Sequence, residues 1–169
     1  AELREQEQIR KSERLHVEAS TDHLTQLFNR RAWDDLVAFE EQRCKQYAHP
    51  TTALIIDLNN LKQVNDQLGH SVGDQLIKKT ADILISCVRS QDIVARLGGD
   101  EFGILLIETN SQGCERVVAR IIKALDQENI SASIGYAMRD PMHGLEKAIK
   151  QADLNMYRHK NKVKNTPCK

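Results

Sequence analysis

Apolar residues recur along the chain with two different periods. The run TTALIID at 51–57 is β-branched and apolar until it ends on Asp57, the pattern of a buried strand with a carboxylate at its exit. Leu76, Ile77, Ala81, Ile83, Leu84, Cys87 and Val88 recur at helical spacing and predict a long helix over about 74–89. DIVARL and EFGILLIE flank a pair of glycines, which predicts a β-hairpin with Gly98 and Gly99 in its turn. ISASIGYAM at 130–138 reads as a further strand, and helices are expected over about 112–125 and 145–159. Asn29 is placed to cap a helix running through Trp33, Leu36, Val37 and Phe39, which His49-Pro50 closes. Between the first strand and the long helix, NNLKQVND is a short polar helix or a turn, and GHSVGD is a glycine-punctuated loop.

Residues 1–20 hold no Gly or Pro and are rich in Glu, Gln and Arg, so helix propensity is high. Their apolar positions are sparse. Leu3 and Val17 share a heptad position with Arg10 between them, and Ile9 and Leu15 fall off that seam, which makes a poor coiled coil. A solvated helix and a connector from an upstream domain explain the segment equally well. The order of elements predicts an α+β fold: a ferredoxin-like, palm-type sheet, rich in antiparallel pairs and flanked by helices, with an N-terminal helical stalk. The expected division is a linker helix at 1–20 and one folded domain at 21–169.

Composition narrows the functional classes. The chain has 169 residues, 40% of them hydrophobic, which is enough for one real core. Its formal net charge is zero, so no overall field favours nucleic acid or an anionic membrane. The tail at 158–169 is locally basic, as a solvated charged end would be. Cys44, Cys87, Cys114 and Cys168 are widely spaced and none forms a C-x-x-C pair, so zinc and redox motifs are unsupported. A reduced, cytoplasmic chain is expected, with Cys87 a small core residue; any membrane anchor would lie upstream. No apolar run reaches membrane-spanning length and no signal peptide is visible. A start at Ala1 suits a piece of a longer protein, and equally a processed or engineered end.

The acids carry the candidate chemistry. Asp57 ends the first strand, and Asp100 and Glu101 sit on the hairpin turn. If the two elements pair, their carboxylates meet at one edge of the sheet. Carboxylates that close repel unless a cation lies between them. An all-oxygen set favours Mg²⁺ or Mn²⁺, with water and phosphate as remaining ligands. Glycines would let the turn approach a bulky anion without Cβ atoms in the way. A plain hairpin with solvated acids is the competing explanation. Asn65 and Asp74 offer a side-chain amide and a carboxylate, groups that match the donors and acceptor of guanine. Each serves equally well as a turn residue or a helix cap.

At this point the sequence resembles the GGDEF-domain diguanylate cyclases. GGDEF stands intact at 98–102. DHLTQLFNRR is similar to the family's opening motif, with Gln26 in the usual glycine place. DLNNLKQVNDQLGHSVGD is similar to its metal and guanine segment, SASIGYA to its late strand, and ADLNMYRHK to its closing helix. The resemblance runs from about Asp22 to Asn165. It implies binding of GTP with a divalent metal and the joining of two GTP molecules into cyclic di-GMP. It implies Asp57, Asp100 and the backbone carbonyl of Leu58 as metal ligands. Asn65 and Asp74 would then read guanine, and Lys160 and Lys164 would meet the terminal phosphates. Glu101 would assist metal binding or proton removal. Arg89 and Asp92, in RSQD, match the family's inhibitory site and imply binding of cyclic di-GMP there; a helix-end ion pair is the alternative. The resemblance further implies a two-fold homodimer for catalysis and an upstream sensory domain. Asn59, Leu61, Ser71 and Val163-Lys164-Asn165 depart from common family residues, and Lys164 lacks the fork of an arginine. Two other readings compete with an active cyclase: a receptor that binds nucleotide without turnover, and a structural dimerisation module.

Overall fold

A computed structural model describes residues 1–165. Its elements run α1 (Glu2–Ser20), α2 (Arg30–Tyr47), β1 (Thr52–Leu58), α3 (Leu61–Leu68), α4 (His70–Cys87), β2 (Ile93–Arg96), β3 (Glu101–Leu106), α5 (Ser111–Gln127), β4 (Ala132–Met138) and α6 (Gly144–Lys164). The four strands form one sheet in the order β2-β3-β1-β4. Every neighbouring pair is antiparallel. This is the expected ferredoxin-like arrangement, and β1 lies centrally between the hairpin and β4.

Both faces of the sheet are covered, which is why β1 reads as a continuous apolar run rather than an alternating one. Leu54, Ile56 and Leu58 pack with Ile77 and Leu84 of α4 and Ile121 and Leu125 of α5. Ala53 and Ile55 pack with Trp33 and Val37 of α2 and Ala148, Ala152 and Met156 of α6. Asn29 caps α2 as expected, its Oδ1 accepting from the Ala32 amide at 2.9 Å. Cys44, Cys87 and Cys114 are buried free thiols. Burial, with Glu115 adding to it, pushes the Cys114 thiol up to about 12, so it stays protonated. Cys168 and the end of the basic tail lie outside the described residues.

The segment GHSVGD differs from expectation: α4 begins at His70, inside it. Gly69 makes the break, with φ +91°, a left-handed value that glycine tolerates. Gly73 serves packing instead, because the Asn65 Oδ1 lies 1.8 Å from where its Cβ would stand. NNLKQVND resolves into the helix α3, and α6 continues to Lys164, beyond the expected end. Glu101 is the first residue of β3, so Asp100 alone of the two acids lies in the turn. The stalk helix α1 buries no residue. The Asn29 Nδ2 ties it to the domain by donating to the Ala19 carbonyl at 2.8 Å. Among the described residues no helix is long and apolar enough to cross a membrane.

Candidate active site

The register of β1 sets the site. Asp57 stands opposite Glu101 of β3 on one side and Ser133 of β4 on the other. The Leu58 amide donates to the Asp100 carbonyl at 2.9 Å, which clips the glycine turn to the end of β1. The three acids therefore share one edge of the sheet. Asp57 Oδ2 pairs with Lys160 Nζ at 3.0 Å. Its Oδ1 is buried with no hydrogen-bond partner. Burial pushes the Asp57 carboxyl up; Lys160 opposes the shift and the charge of Asp100 adds to it. Burial also pushes up Glu101, helped by Asp153, Asp57 and Asp100 and opposed by Arg30.

An orphaned carboxylate oxygen among crowded acids fits a divalent cation, the group that would satisfy all of them at once. Among the described residues no ready cluster of three or more His, Cys, Asp or Glu side chains could hold a metal alone. The remaining ligands must then be backbone, water or a bound anion, as suits Mg²⁺ on few carboxylates. Gly98 and Gly99 are not forced by backbone conformation, since neither has a positive φ. A Cβ on Gly99 would meet nothing, and one on Gly98 only the Glu101 Cβ at 4.0 Å. The space over the turn is open, with room for a ligand.

Helix α6 delivers the lysine. It runs directly on β4, where a Cβ on Gly135 would lie 2.1 Å from the Ala152 carbonyl oxygen and the Met156 nitrogen. Asn155 Nδ2 donates to the Tyr136 carbonyl at 3.0 Å, and His159 Nδ1 accepts from the Ile134 amide at 3.1 Å. These contacts hold the next residue, Lys160, over Asp57. Its ammonium is thus engaged by the carboxylate here. Lys164 follows one turn later and is exposed.

Asn65 and Asp74 flank no loop. They stand on the two adjacent helices α3 and α4, and Asn65 lies against Gly73, the residue before Asp74. Asp74 is exposed. The structure thus brings the pair together at a helix–helix corner.

Arg89 and Asp92 also come together as an ion pair, Nη2 to Oδ1 at 3.3 Å, with the arginine side chain half exposed. The Asp92 side chain is 1% exposed. Its Oδ1 accepts from the Ile107 amide at 3.0 Å and its Oδ2 from the Arg89 amide at 2.8 Å. Arg89 Nη2 donates to the Ile107 carbonyl and to Thr109 Oγ1. The motif staples the turn before β2 to the end of β3. A guanine base would have to displace these bonds to reach Asp92. Beside Arg89 lies a groove of about 370 Å³ that Arg116 and Arg120 also line. Spacing along the chain does not reveal those two arginines, which α5 brings in.

Asn59, where the family often has Asp, links strand ends: Ser133 Oγ donates to its Oδ1 at 3.0 Å and its Nδ2 donates to Ser131 Oγ at 2.9 Å. Arg96 is a site residue that the sequence motifs do not single out. Its guanidinium bonds the carbonyls of Gly98 and Gly99. Its position two residues before the glycine pair was the available signal.

Comparison with known proteins shows the family and the fold. Residues 19–166 match the family described as "Diguanylate cyclase, GGDEF domain". Diguanylate cyclase DosC of Escherichia coli K12 is 35% identical over 158 residues, covering 88% of this chain and 34% of DosC. Cyclic di-GMP phosphodiesterase PdeR of the same organism is 34% identical over 161 residues, covering 89% of this chain and 24% of PdeR. The chain thus spans less than half the length of the curated relatives it matches. The crystal structure of the coiled coil and GGDEF domain of DgcB from Caulobacter crescentus, in complex with c-di-GMP, superposes with a TM-score of 0.85 at 25% identity, covering 95% of this chain and 91% of that one. Divalent-metal dependence is general among GGDEF cyclases, in keeping with the orphaned oxygen of Asp57. The sheet, the intact glycine turn and the match over nearly the whole chain lead to one assignment: the chain belongs to the GGDEF-domain diguanylate cyclase family.

Proposed function

We propose that this domain is a diguanylate cyclase that condenses two GTP into cyclic di-GMP, as the output domain of a bacterial signalling protein. The observation that carries this reading is the buried, partnerless Asp57 Oδ1 beside a glycine turn with open space above it. Asp57, Asp100 and the Leu58 carbonyl would hold Mg²⁺ or Mn²⁺, which when bound would neutralise triphosphate charge and make a ribose hydroxyl more acidic. Asn65 and Asp74 read guanine at the α3–α4 corner. Lys160 swings between Asp57 and the terminal phosphates, and Lys164 adds charge along the same helix. The ribose 3′-oxygen of one GTP attacks the α-phosphorus of the other; its O–H bond breaks, a P–O bond forms and pyrophosphate leaves. Glu101, with its carboxyl pushed up by burial and neighbouring acids, would receive that proton. The same step in the opposite sense closes the ring.

One domain holds one GTP, so two domains must face each other as a homodimer. Residues 1–20 form the signalling helix from an upstream sensory domain, and 21–169 the catalytic domain. Arg89 and Asp92, with Arg116 and Arg120 beside them, form the inhibitory site for cyclic di-GMP. Asp100→Asn tests the core of the proposal: turnover is lost while the melting temperature stays close to the parent's, and full activity would refute the metal assignment. A second reading has one observation in its favour, since a relative of similar identity is named as a phosphodiesterase. A domain that only binds nucleotide would be stabilised by GTP without consuming it.

A further inference from the structure

Gly98 and Gly99 have no side chains to anchor their part of the turn, and glycine loses more conformational freedom on ordering than any other residue. Hydrogen bonds must hold it. The Leu97 amide donates to the Glu101 carbonyl at 2.8 Å, and the Leu58 amide to the Asp100 carbonyl at 2.9 Å. Arg96 supplies the rest: Nε donates to the Gly98 carbonyl at 3.1 Å and Nη2 to the Gly99 carbonyl at 2.9 Å. The third nitrogen of the same plane, Nη1, meets both oxygens of Asp22, at 3.3 and 3.4 Å. This pair is largely buried, with 17% of the Arg96 and 21% of the Asp22 side chain exposed.

Asp22 lies two residues beyond α1. Its Oδ2 accepts from the Thr25 amide at 2.9 Å and the Thr25 hydroxyl at 2.7 Å, so the carboxylate is fixed within the joint. Its backbone closes that joint through the Leu27 carbonyl and the Gln26 amide. The Asn29 amide donates to the Ser20 carbonyl, in the last turn of α1. The Arg96 amide bonds the Phe28 carbonyl, a second tie between joint and hairpin. A continuous set of hydrogen bonds therefore runs from the end of α1 to the residue next to Asp100.

We propose that Arg96 is a positioning residue, which with Asp22 forms a latch that holds the Gly98–Gly99 turn in its metal-binding shape and makes that shape depend on the joint after α1. A lysine could keep the charge opposite Asp22 but could not reach both carbonyls, because the planar fork makes all three contacts at once. The inference rests on the metal site proposed above, so its test reads metal binding rather than turnover.

The experiment titrates Mn²⁺ by electron paramagnetic resonance in the presence of a non-hydrolysable GTP analogue. It compares the parent protein, Arg96→Ala, Arg96→Lys, Asp22→Asn and the double variant Asp22→Asn/Arg96→Ala. Arg96→Ala should weaken Mn²⁺ binding by about tenfold or more, the equivalent of one lost charge-assisted hydrogen bond. Asp22→Asn should weaken it in the parent and add nothing in the Arg96→Ala background, because Asp22 acts through Arg96. Mere destabilisation would be additive and would overturn the latch. Unchanged binding in Arg96→Ala would overturn it as well. If Arg96→Ala does not fold, Arg96→Lys carries the test, with intermediate affinity expected and parental affinity contradicting the proposal. A parent protein that binds no Mn²⁺ overturns the metal site itself, an outcome distinct from failure of the latch alone.

Discussion

Glu101 is an acid in a place that disfavours its charge. Burial pushes its carboxyl above the ordinary 4.5, with Asp153 and Asp57 adding to the shift. A carboxyl with a raised folded value contributes stability that is fully present below its unfolded value and lost as pH rises through the folded one. Glu101→Gln should therefore raise the melting temperature near pH 7 and leave it unchanged near pH 4, as calorimetry at the two pH values would show. An equal effect at both would exclude the electrostatic cause. Asp22 has the opposite sign: burial would raise it, but the Thr25 bonds and Arg96 lower it further below 3.8. Its contribution holds above the unfolded value and is lost as pH falls through the lowered one. Asp57, Asp100 and Glu101 were legible from sequence because each sits at a strand boundary beside a turn signal. The pairing of Lys160 with Asp57 was not, because it depends on how α6 lies over β4. The burial of Asp92 was hidden for the same reason: its partner Ile107 lies just past the end of β3, distant along the chain.

At the scale of elements, two glycines with similar crowding should behave differently. Gly135 faces the backbone of α6, which cannot move aside without shifting the whole helix. Gly135→Ala should cost about 1–3 kcal/mol in urea unfolding, as overpacking does, and should also raise KM for GTP by dislodging Lys160. Gly73 faces only the amide end of Asn65 and lies inside α4. Gly73→Ala should stay within about 1 kcal/mol of the parent, because helix propensity favours alanine, yet weaken guanine binding by displacing Asn65. Similar stability losses for both, with no loss of GTP affinity in Gly73→Ala, would contradict the guanine assignment. The same pair shows where sequence reading stopped. Both glycines of GHSVGD look like loop formers, and only packing reveals that Gly69 breaks the chain while Gly73 joins two helices. The hairpin, β1 and the α2 cap were readable because period, turn residues and capping residue agree locally.

At the scale of the molecule, the proposed joining of two GTP molecules asks for a second copy of the site. The described chain holds one glycine turn and one α3–α4 corner carrying Asn65 and Asp74, and α1 buries none of its apolar residues. Specific activity should therefore rise with protein concentration, and steady-state assays over a dilution series check this; a constant value would point to a dimer already complete or to catalysis within one domain. The most direct test is to join α1 to a dimeric coiled coil, incubate the protein with GTP and Mg²⁺, and separate the products by chromatography. The cyclase reading predicts cyclic di-GMP and two pyrophosphates for each pair of GTP consumed. Unchanged GTP in that enforced dimer would contradict it and leave a domain that binds nucleotide without turning it over.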